Sequence, residues 1–424
     1  MYALTNVRLY DYVTYRENAY LLFDEDILEV GDMADFVPSL VLPKNIFSGR
    51  GQLLMPGLIN FHTHIYSAFA RGCNFGANPH SFTDVLEQIW WRLDAALTPE
   101  ALKIATIAYG RESLKKGVVA LVDHNASGGI KGALTAIEEG LEAIGMHGTT
   151  CFEVSDRYNT LQAIEENVAH TSQYGGLFGL HASMTLCDET LKACKGAIGN
   201  LPIHVHVSES VDDHFAYNET PVERLSRFGL ISENSLLVHG VHLTDDDVAL
   251  LKSKGAKVAI AMRSNLNNAV GVPNVSLFLK QGVPILAGTD GLGASVAGSW
   301  QDIYYMTKHH SQALDSIDLS DVQRSIVDSY SIYEKWTGKK LGRFEMGYRM
   351  DAALYVYDAY TPMDASNAFG HVFFGVWDAL DVVHMWVGGR VLIWEREHVK
   401  QVPLQPEKAV AVWKQMGGYD EHTR

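Results

Sequence analysis

The chain has 424 residues, 47% hydrophobic and 20% charged, an ordinary globular composition. That length suits one large catalytic body with a smaller domain beside it. The net charge is -16, from 34 basic and 50 acidic side chains, which argues against nucleic acid and leaves a small molecule as the expected partner.

Cys73, Cys151, Cys187 and Cys194 form no CxxC pair, which fits a reducing compartment without a disulfide framework. The first residues lack a basic region followed by an apolar run, and no stretch approaches about 18 uninterrupted apolar residues. The expectation is a cytoplasmic protein with no membrane contact.

Taken in chain order, the first 55 residues read as short strands, at 4–9, 20–23 and 27–30, punctuated by Asp, Asn and Gly. The centre alternates short apolar runs with helical stretches. Eight candidate strands fall at 58–64, 118–124, 147–153, 177–181, 203–207, 235–239, 257–261 and 284–290. Helical patterns at 101–116, 132–144 and 221–228 lie between some of them. β-rich segments return at 351–358 and 382–393. The pattern predicts an α/β chain: a TIM-like (β/α)8 barrel over 56–347, and a small β-sandwich domain from both termini, 1–55 and 348–424. Most of the eight runs end in a polar or ionisable residue, and the C-terminal ends of barrel strands are where catalytic side chains gather.

His62-Thr-His64 ends the first run. Residues two apart on a strand share a face, so both imidazoles can reach one ion, although two surface histidines would read the same. In His204-Val-His206-Val-Ser-Glu209 the same period puts both histidines on one face. His206 is preferred as the ligand because it lies nearer the strand's C-terminal end, with His204 packed behind it. His239-Gly240 and Gly288-Thr-Asp290-Gly291 end two further runs. Each motif alone is weak, and an Asp before Gly is usually a turn residue. Their order at successive strand ends is what makes them informative. Imidazoles and one carboxylate with a position left for water suit one divalent ion, Zn2+ or alternatively Fe2+.

Pro56-Gly-Leu-Ile-Asn-Phe-His62-Thr-His64, His206-Val-Ser-Glu209, His239-Gly240 and Gly288-Thr-Asp290-Gly291 resemble the amidohydrolase superfamily, in its deaminase and chlorohydrolase branch. Gly347-Tyr-Arg-Met-Asp351-Ala-Ala-Leu is similar to that branch's return into its β domain. A finer resemblance is to the aminohydrolases called SsnA, associated with selenium-metabolism gene clusters. It is carried by Tyr66-Ser-Ala-Phe-Ala-Arg71-Gly72, Trp90-Trp-Arg-Leu-Asp94, Val122-Asp-His124, Thr150-Cys-Phe-Glu153 and Arg263-Ser-Asn265-Leu-Asn267-Asn268.

The resemblance implies metal ligation by His62, His64, His206 and Asp290, a proton shuttle at Glu209, and hydrogen bonding to the attacking oxygen or substrate by His239. It also implies substrate contact by His181, although Ser183 stands where the family commonly has Pro. Binuclear relatives carry a bridging lysine at the end of strand four. Here that strand reads Leu177-Phe-Gly-Leu-His181, so one metal is expected. The implied reaction is hydrolytic deamination of a nitrogen heterocycle, such as a purine or pterin, by a metal-activated hydroxide. Asp290 takes the water's proton and Glu209 protonates the ring. The alternatives are a chlorohydrolase or cyclic-amide hydrolase on the same site, or a metal-binding accessory protein in selenium or molybdenum enzyme metabolism. Relatives also imply a homo-oligomer.

Arg71, Arg157 and Arg263 fall in loops near the expected mouth, where an Arg can clamp a carbonyl or acid group. Asn265, Asn267 and Asn268 follow the seventh strand and are candidates to line the pocket, Asn265 first. Phe69, Trp90 and Trp91 are candidates to stack on a planar ring, with the Trp pair in a helical stretch where core packing is the commoner role.

Overall fold

The computed structural model describes residues 1–73 and 76–417. Eight parallel strands form its centre: β1 (Leu58–Thr63), β2 (Val118–Asn125), β3 (His147–Phe152), β4 (Phe178–Ala182), β5 (Ile203–Val207), β6 (Leu236–His239), β7 (Lys257–Ile260) and β8 (Ile285–Ala287). Except at the start of β3, they are buried throughout, as strands covered on both faces must be. β1–β3 form one sheet and β4–β8 another. Parallel bridges link the two at both junctions, Val154 to Leu180 and Thr63 to Asp290. Each of the eight strands therefore has a parallel neighbour on either side.

Helices return the chain from most strands to the next. The longest between β1 and β2, Pro99–Lys115, begins where Thr98 accepts a hydrogen bond from Ala101 N and Pro99 takes the first turn, whose N–H needs no partner. Ala133–Ile144 ends on Gly145 at φ 77°, a left-handed cap that glycine adopts without a Cβ penalty. The eighth strand is shorter than its apolar run because Pro284 and Gly288 bracket it.

The terminal strands form one continuous nine-stranded sheet. Tyr2–Tyr10 sits inside it, antiparallel to Tyr15–Phe23 and parallel to Ile46–Ser48 and Leu53–Pro56. Leu53–Pro56 pairs antiparallel with Ala352–Tyr355, which joins the two ends of the chain. Leu4, Leu21, Phe23, Leu54, Leu354 and Trp386 pack in one cluster drawn from both ends. The last helix, Pro406–Gln415, leaves this sheet and packs against the segment around residues 91–115, with Trp413 donating to Phe69 O at 2.6 Å. No helix among the described residues is long and apolar enough to cross a membrane.

Candidate metal centre and catalytic pocket

β1 carries His62 and, just past its end, His64. β5 carries His206, β6 carries His239, and Asp290 follows β8. β8 reaches β1 through backbone: Thr289 N and Asp290 N both donate to His62 O, at 2.9 and 3.0 Å. Gly288 allows that approach, since a Cβ there would sit 2.9 Å from His62 Cβ. Ser208, His239 and Asp290 adopt φ of 48°, 72° and 52°. Left-handed backbone at non-glycine residues is costly and collects at functional sites.

His64 Nε2 and His62 Nε2 approach one Asp290 oxygen, Oδ1, at 3.0 and 3.4 Å. His64 Nδ1–H donates to His124 O at 2.6 Å, so in the neutral ring a lone pair on Nε2 faces the carboxylate. Two lone pairs that close require a cation or proton between them. Burial would pull His64 down, but the Asp290 hydrogen bond and charge override it and raise its pKa to about 9. Burial lowers His62 to about 4, only partly offset by Asp290, and holds His206 well below its usual value. Burial opposes ionisation of Asp290, yet the close His62 and His64 imidazoles hold it well below the usual carboxylate range. The buried Nε2 atoms of His62 and His206 have no hydrogen-bond partner among the described residues. Candidate ligand atoms of His62, His64 and Asp290 lie within 4.8 Å of one another, as do those of His62, His206 and His239. This donor set fits a divalent ion: three imidazoles, two of them with unpartnered Nε2 atoms, around an ionised carboxylate.

His62 is aimed from behind. Its Nδ1 is 2.9 Å from His204 Nε2, and His204 Nδ1 is 3.6 Å from Cys151 Sγ. Cys151 in turn donates to Asp123 O at 3.6 Å. A carbonyl only accepts, so the protons order themselves: Cys151 S–H to Asp123 O, His204 Nδ1–H to sulfur, His62 Nδ1–H to His204 Nε2. That leaves the His62 Nε2 lone pair for an ion.

Glu209 Oε2 lies 3.3 Å from His239 Nε2, and Asn268 Nδ2 reaches Glu209 Oε1 at 3.5 Å. Burial raises Glu209 to about 7, against the pull of His239. His239 Nδ1 donates to Asn265 Oδ1 at 2.8 Å. With that proton committed, His239 Nε2 faces the Glu209 carboxyl.

These groups open into a pocket whose wall includes Tyr66, Phe82, Trp90, Trp91, Glu153 and His181. Burial raises Glu153 to about 8 and lowers His181 to about 3. The expected ligands, Glu209, His239 and His181 are thus brought together. The expected arginines are not. Arg71 pairs with Glu112 at 2.7 Å and Arg263 with Asp302 at 2.8 Å, both side chains more than half exposed. Arg157 is held by Asp94 at 3.2 Å behind the wall, 4.2 Å above the Trp91 ring. None of the three lines the pocket; each is held by a carboxylate on a helix distant in sequence, Glu112, Asp94 or Asp302. Asn265 holds His239 rather than lining the cavity, and Asn268 takes the lining position. Phe69 is buried away from the pocket.

Phe82, Leu86, Met184 and Asp213 line the pocket without having been singled out by sequence. Asp213 is buried and accepts from Met184 N and Ser208 N, at 3.0 and 2.7 Å. Glu153 had a visible signal, a carboxylate at a strand end. The others sit on helical turns of three to five residues, Phe82–Val85, Leu86–Trp90, Ser183–Thr185 and Val211–His214, too short to show a period that points inward.

Residues 53–392 match the amidohydrolase family, and the chain belongs to it. That membership makes it a hydrolase. Among curated relatives it is 27% identical over 391 residues to a 5-methylthioadenosine/S-adenosylhomocysteine deaminase of Natronomonas pharaonis, covering 88% of this chain and 87% of that one. An adenosine deaminase of Xanthomonas campestris, solved with bound zinc, shares the fold at TM-score 0.83 and 18% identity, over 98% of this chain and 97% of that one. The zinc complex of atrazine chlorohydrolase from Arthrobacter aurescens does so at 0.78 and 19%, over 98% and 100%.

Proposed function

We propose that this protein is a metal-dependent hydrolytic deaminase of an aminated nitrogen heterocycle, such as a purine or pterin. The observation that carries the proposal is the Glu209–His239 pair, 3.3 Å apart, beside imidazole nitrogens that have no partner among the described residues. In this reading the eight central strands are a (β/α)8 barrel over residues 56–347. The nine-stranded sheet is a sandwich-like domain from 1–55 and 348–424, folded over the cluster that both ends share. The zinc in the adenosine deaminase and chlorohydrolase structures supports the same metal class here.

His62, His64, His206 and Asp290 would hold one ion, zinc or alternatively Fe2+. When bound, it supplies Lewis acidity, which brings a water's pKa to about 7. Asp290 accepts a proton from the attacking water. Glu209 delivers a proton to the ring nitrogen beside the carbon under attack, so charge does not build up as the water oxygen bonds to that carbon. His239, whose Nε2 is 3.3 Å from Glu209, is placed to hydrogen-bond the water oxygen as it bonds to that carbon. Asp290 passes the water's proton to the amino nitrogen, the carbon–nitrogen bond breaks and ammonia leaves, and the proton still on the oxygen returns to Glu209 as the carbonyl forms. His181, held by Thr185 Oγ1 at 2.8 Å from its Nδ1, turns Nε2 to the substrate.

A chlorohydrolase or a cyclic-amide hydrolase would use the same ligands. An accessory role for a selenium or molybdenum enzyme has no need of the Glu209–His239 pair. The protein acts in the cytoplasm as a homo-oligomer in this reading. Zinc-loaded protein is incubated with aminated purines, pterins, pyrimidines and triazines, and ammonia is measured. Ammonia that depends on Glu209 supports deamination. Chloride or a ring-opened acid in its place refutes it.

A further inference from the structure

Glu153 follows β3, is 2% exposed, and its Oε2 has no hydrogen-bond partner among the described residues. His124, on β2, is fully buried, and neither of its ring nitrogens has such a partner. Its Nδ1 stands 3.4 Å from Glu153 Oε2. His181 Nε2 stands 4.0 Å from Glu153 Oε1. Thr185 Oγ1 donates to Ala182 O at 3.1 Å, so it accepts from His181 Nδ1–H at 2.8 Å. In the neutral ring that leaves a lone pair on His181 Nε2, on the side of a carboxylate.

Nothing in the proton-transfer scheme uses Glu153 or His124. Arg157 is engaged by both oxygens of Asp94, and the pocket lining, which includes Glu153 and His181, has no Lys or Arg. A buried carboxyl without a counter-charge is costly. Ligand atoms about 2.0 to 2.2 Å from a tetrahedral ion lie about 3.4 Å apart. His124 Nδ1 and Glu153 Oε2 already have that spacing, which is also that of His62 Nε2 and Asp290 Oδ1 at the first site. His181 Nε2 would have to close by roughly 0.5 Å to reach it.

We propose that Glu153, His124 and His181 hold a second divalent cation beside the one placed at His62, His64, His206 and Asp290. Candidate ligand atoms of Glu153, His181 and His206 lie within 4.8 Å of one another, as do those of His64, His124 and His206, so the two cations are neighbours. Two imidazoles and a carboxylate suit zinc, with a position left open toward the pocket. The set needs no lysine at the end of β4, whose absence pointed to one metal. His181 then meets the substrate through this cation, which anchors an oxygen or ring nitrogen as a Lewis acid. The second site is independent of which bond the enzyme cleaves.

The test loads metal-free protein with excess zinc, desalts it and measures zinc per chain by elemental analysis. The wild type is compared with Glu153→Gln, His181→Ala and Asp290→Asn, with melting of each as the folding control. The wild type should keep about two equivalents and each variant about one. Crystals of the loaded wild type should show two anomalous peaks at the zinc edge, one within bonding distance of Glu153, a result that needs no variant to fold. A single equivalent in the wild type that Asp290→Asn abolishes would overturn the second site and leave the first standing. Two equivalents kept by both Glu153→Gln and His181→Ala would overturn it as well. So would loss of both ions from either variant with its melting unchanged, since that residue would then belong to the first site. If the variants unfold, the wild-type crystals decide, and no peak at Glu153 refutes the assignment.

Discussion

The proton chain behind His62 makes a quantitative prediction about metal affinity. Replacing His204 with Leu removes the acceptor for His62 Nδ1–H at 2.9 Å, in a position with no solvent access. Leaving a buried donor unsatisfied costs about 1 to 3 kcal/mol. At about 1.36 kcal/mol per factor of ten, that is roughly 5- to 150-fold in the zinc dissociation constant, and loss of such an outer partner typically costs about 10- to 100-fold. His204→Gln keeps an oxygen able to accept the proton and should recover much of the loss. The assay is zinc competition against a chelator of known affinity, with melting of the metal-free variants as the folding control. Equal zinc affinity in the wild type and both variants would show that the chain through His204 and Cys151 does not orient His62, and the proton assignment would be wrong.

Four further outcomes follow from the same geometry. Gly288→Ala places a Cβ 2.9 Å from His62 Cβ, so zinc content after dialysis should fall; full retention would mean that β8 can move away from β1. Arg71→Ala and Arg263→Ala should leave KM within about twofold, because both side chains are more than half exposed and paired outside the pocket. A large KM change in either would return that arginine to the substrate. Burial raises the Asp123 carboxyl from 3.8 to about 6. Folding is then favoured most while this group is protonated, and its contribution declines as pH rises from about 4 to 6. Relative to the wild type, Asp123→Asn should gain stability across that window, by at most about 3 kcal/mol at about 1.36 kcal/mol per pH unit, and change little above it. A constant difference from pH 4 to 7 in denaturant melts would contradict the raised pKa.

The metal-ligand candidates were legible in the sequence because two regularities coincide on them. A strand's period of two puts His62 and His64 within reach of one point, and parallel strands collect their C-terminal residues at one end. His204 and His206 show the limit of that logic. The period places both on one face, and only the tertiary structure gives one a free nitrogen at the pocket and the other a partner in His62. The arginines failed for a different reason. A loop residue's direction is set by its nearest partner, and Glu112, Asp94 and Asp302 are far away in sequence. Trp90 and Trp91 sit at a π-helical segment, Leu86–Trp90, which shifts the helix face and turns both rings into the pocket wall. Their spacing alone reads as core packing. The terminal strands were legible as strands, but their union in one sheet depends on Leu53–Pro56 pairing with Ala352–Tyr355, a contact between distant parts of the chain.

The central claim is that Glu209 moves protons for a deamination at this site. It is tested most directly by ammonia release from zinc-loaded wild-type and Glu209→Gln proteins, over the same heterocycle panel and with zinc content measured in both. The account predicts a substrate that releases ammonia with the wild type, and a turnover about 100- to 10,000-fold lower in the variant at equal zinc content. Near-wild-type turnover in the variant, or no ammonia from any ring with zinc fully bound, would contradict it.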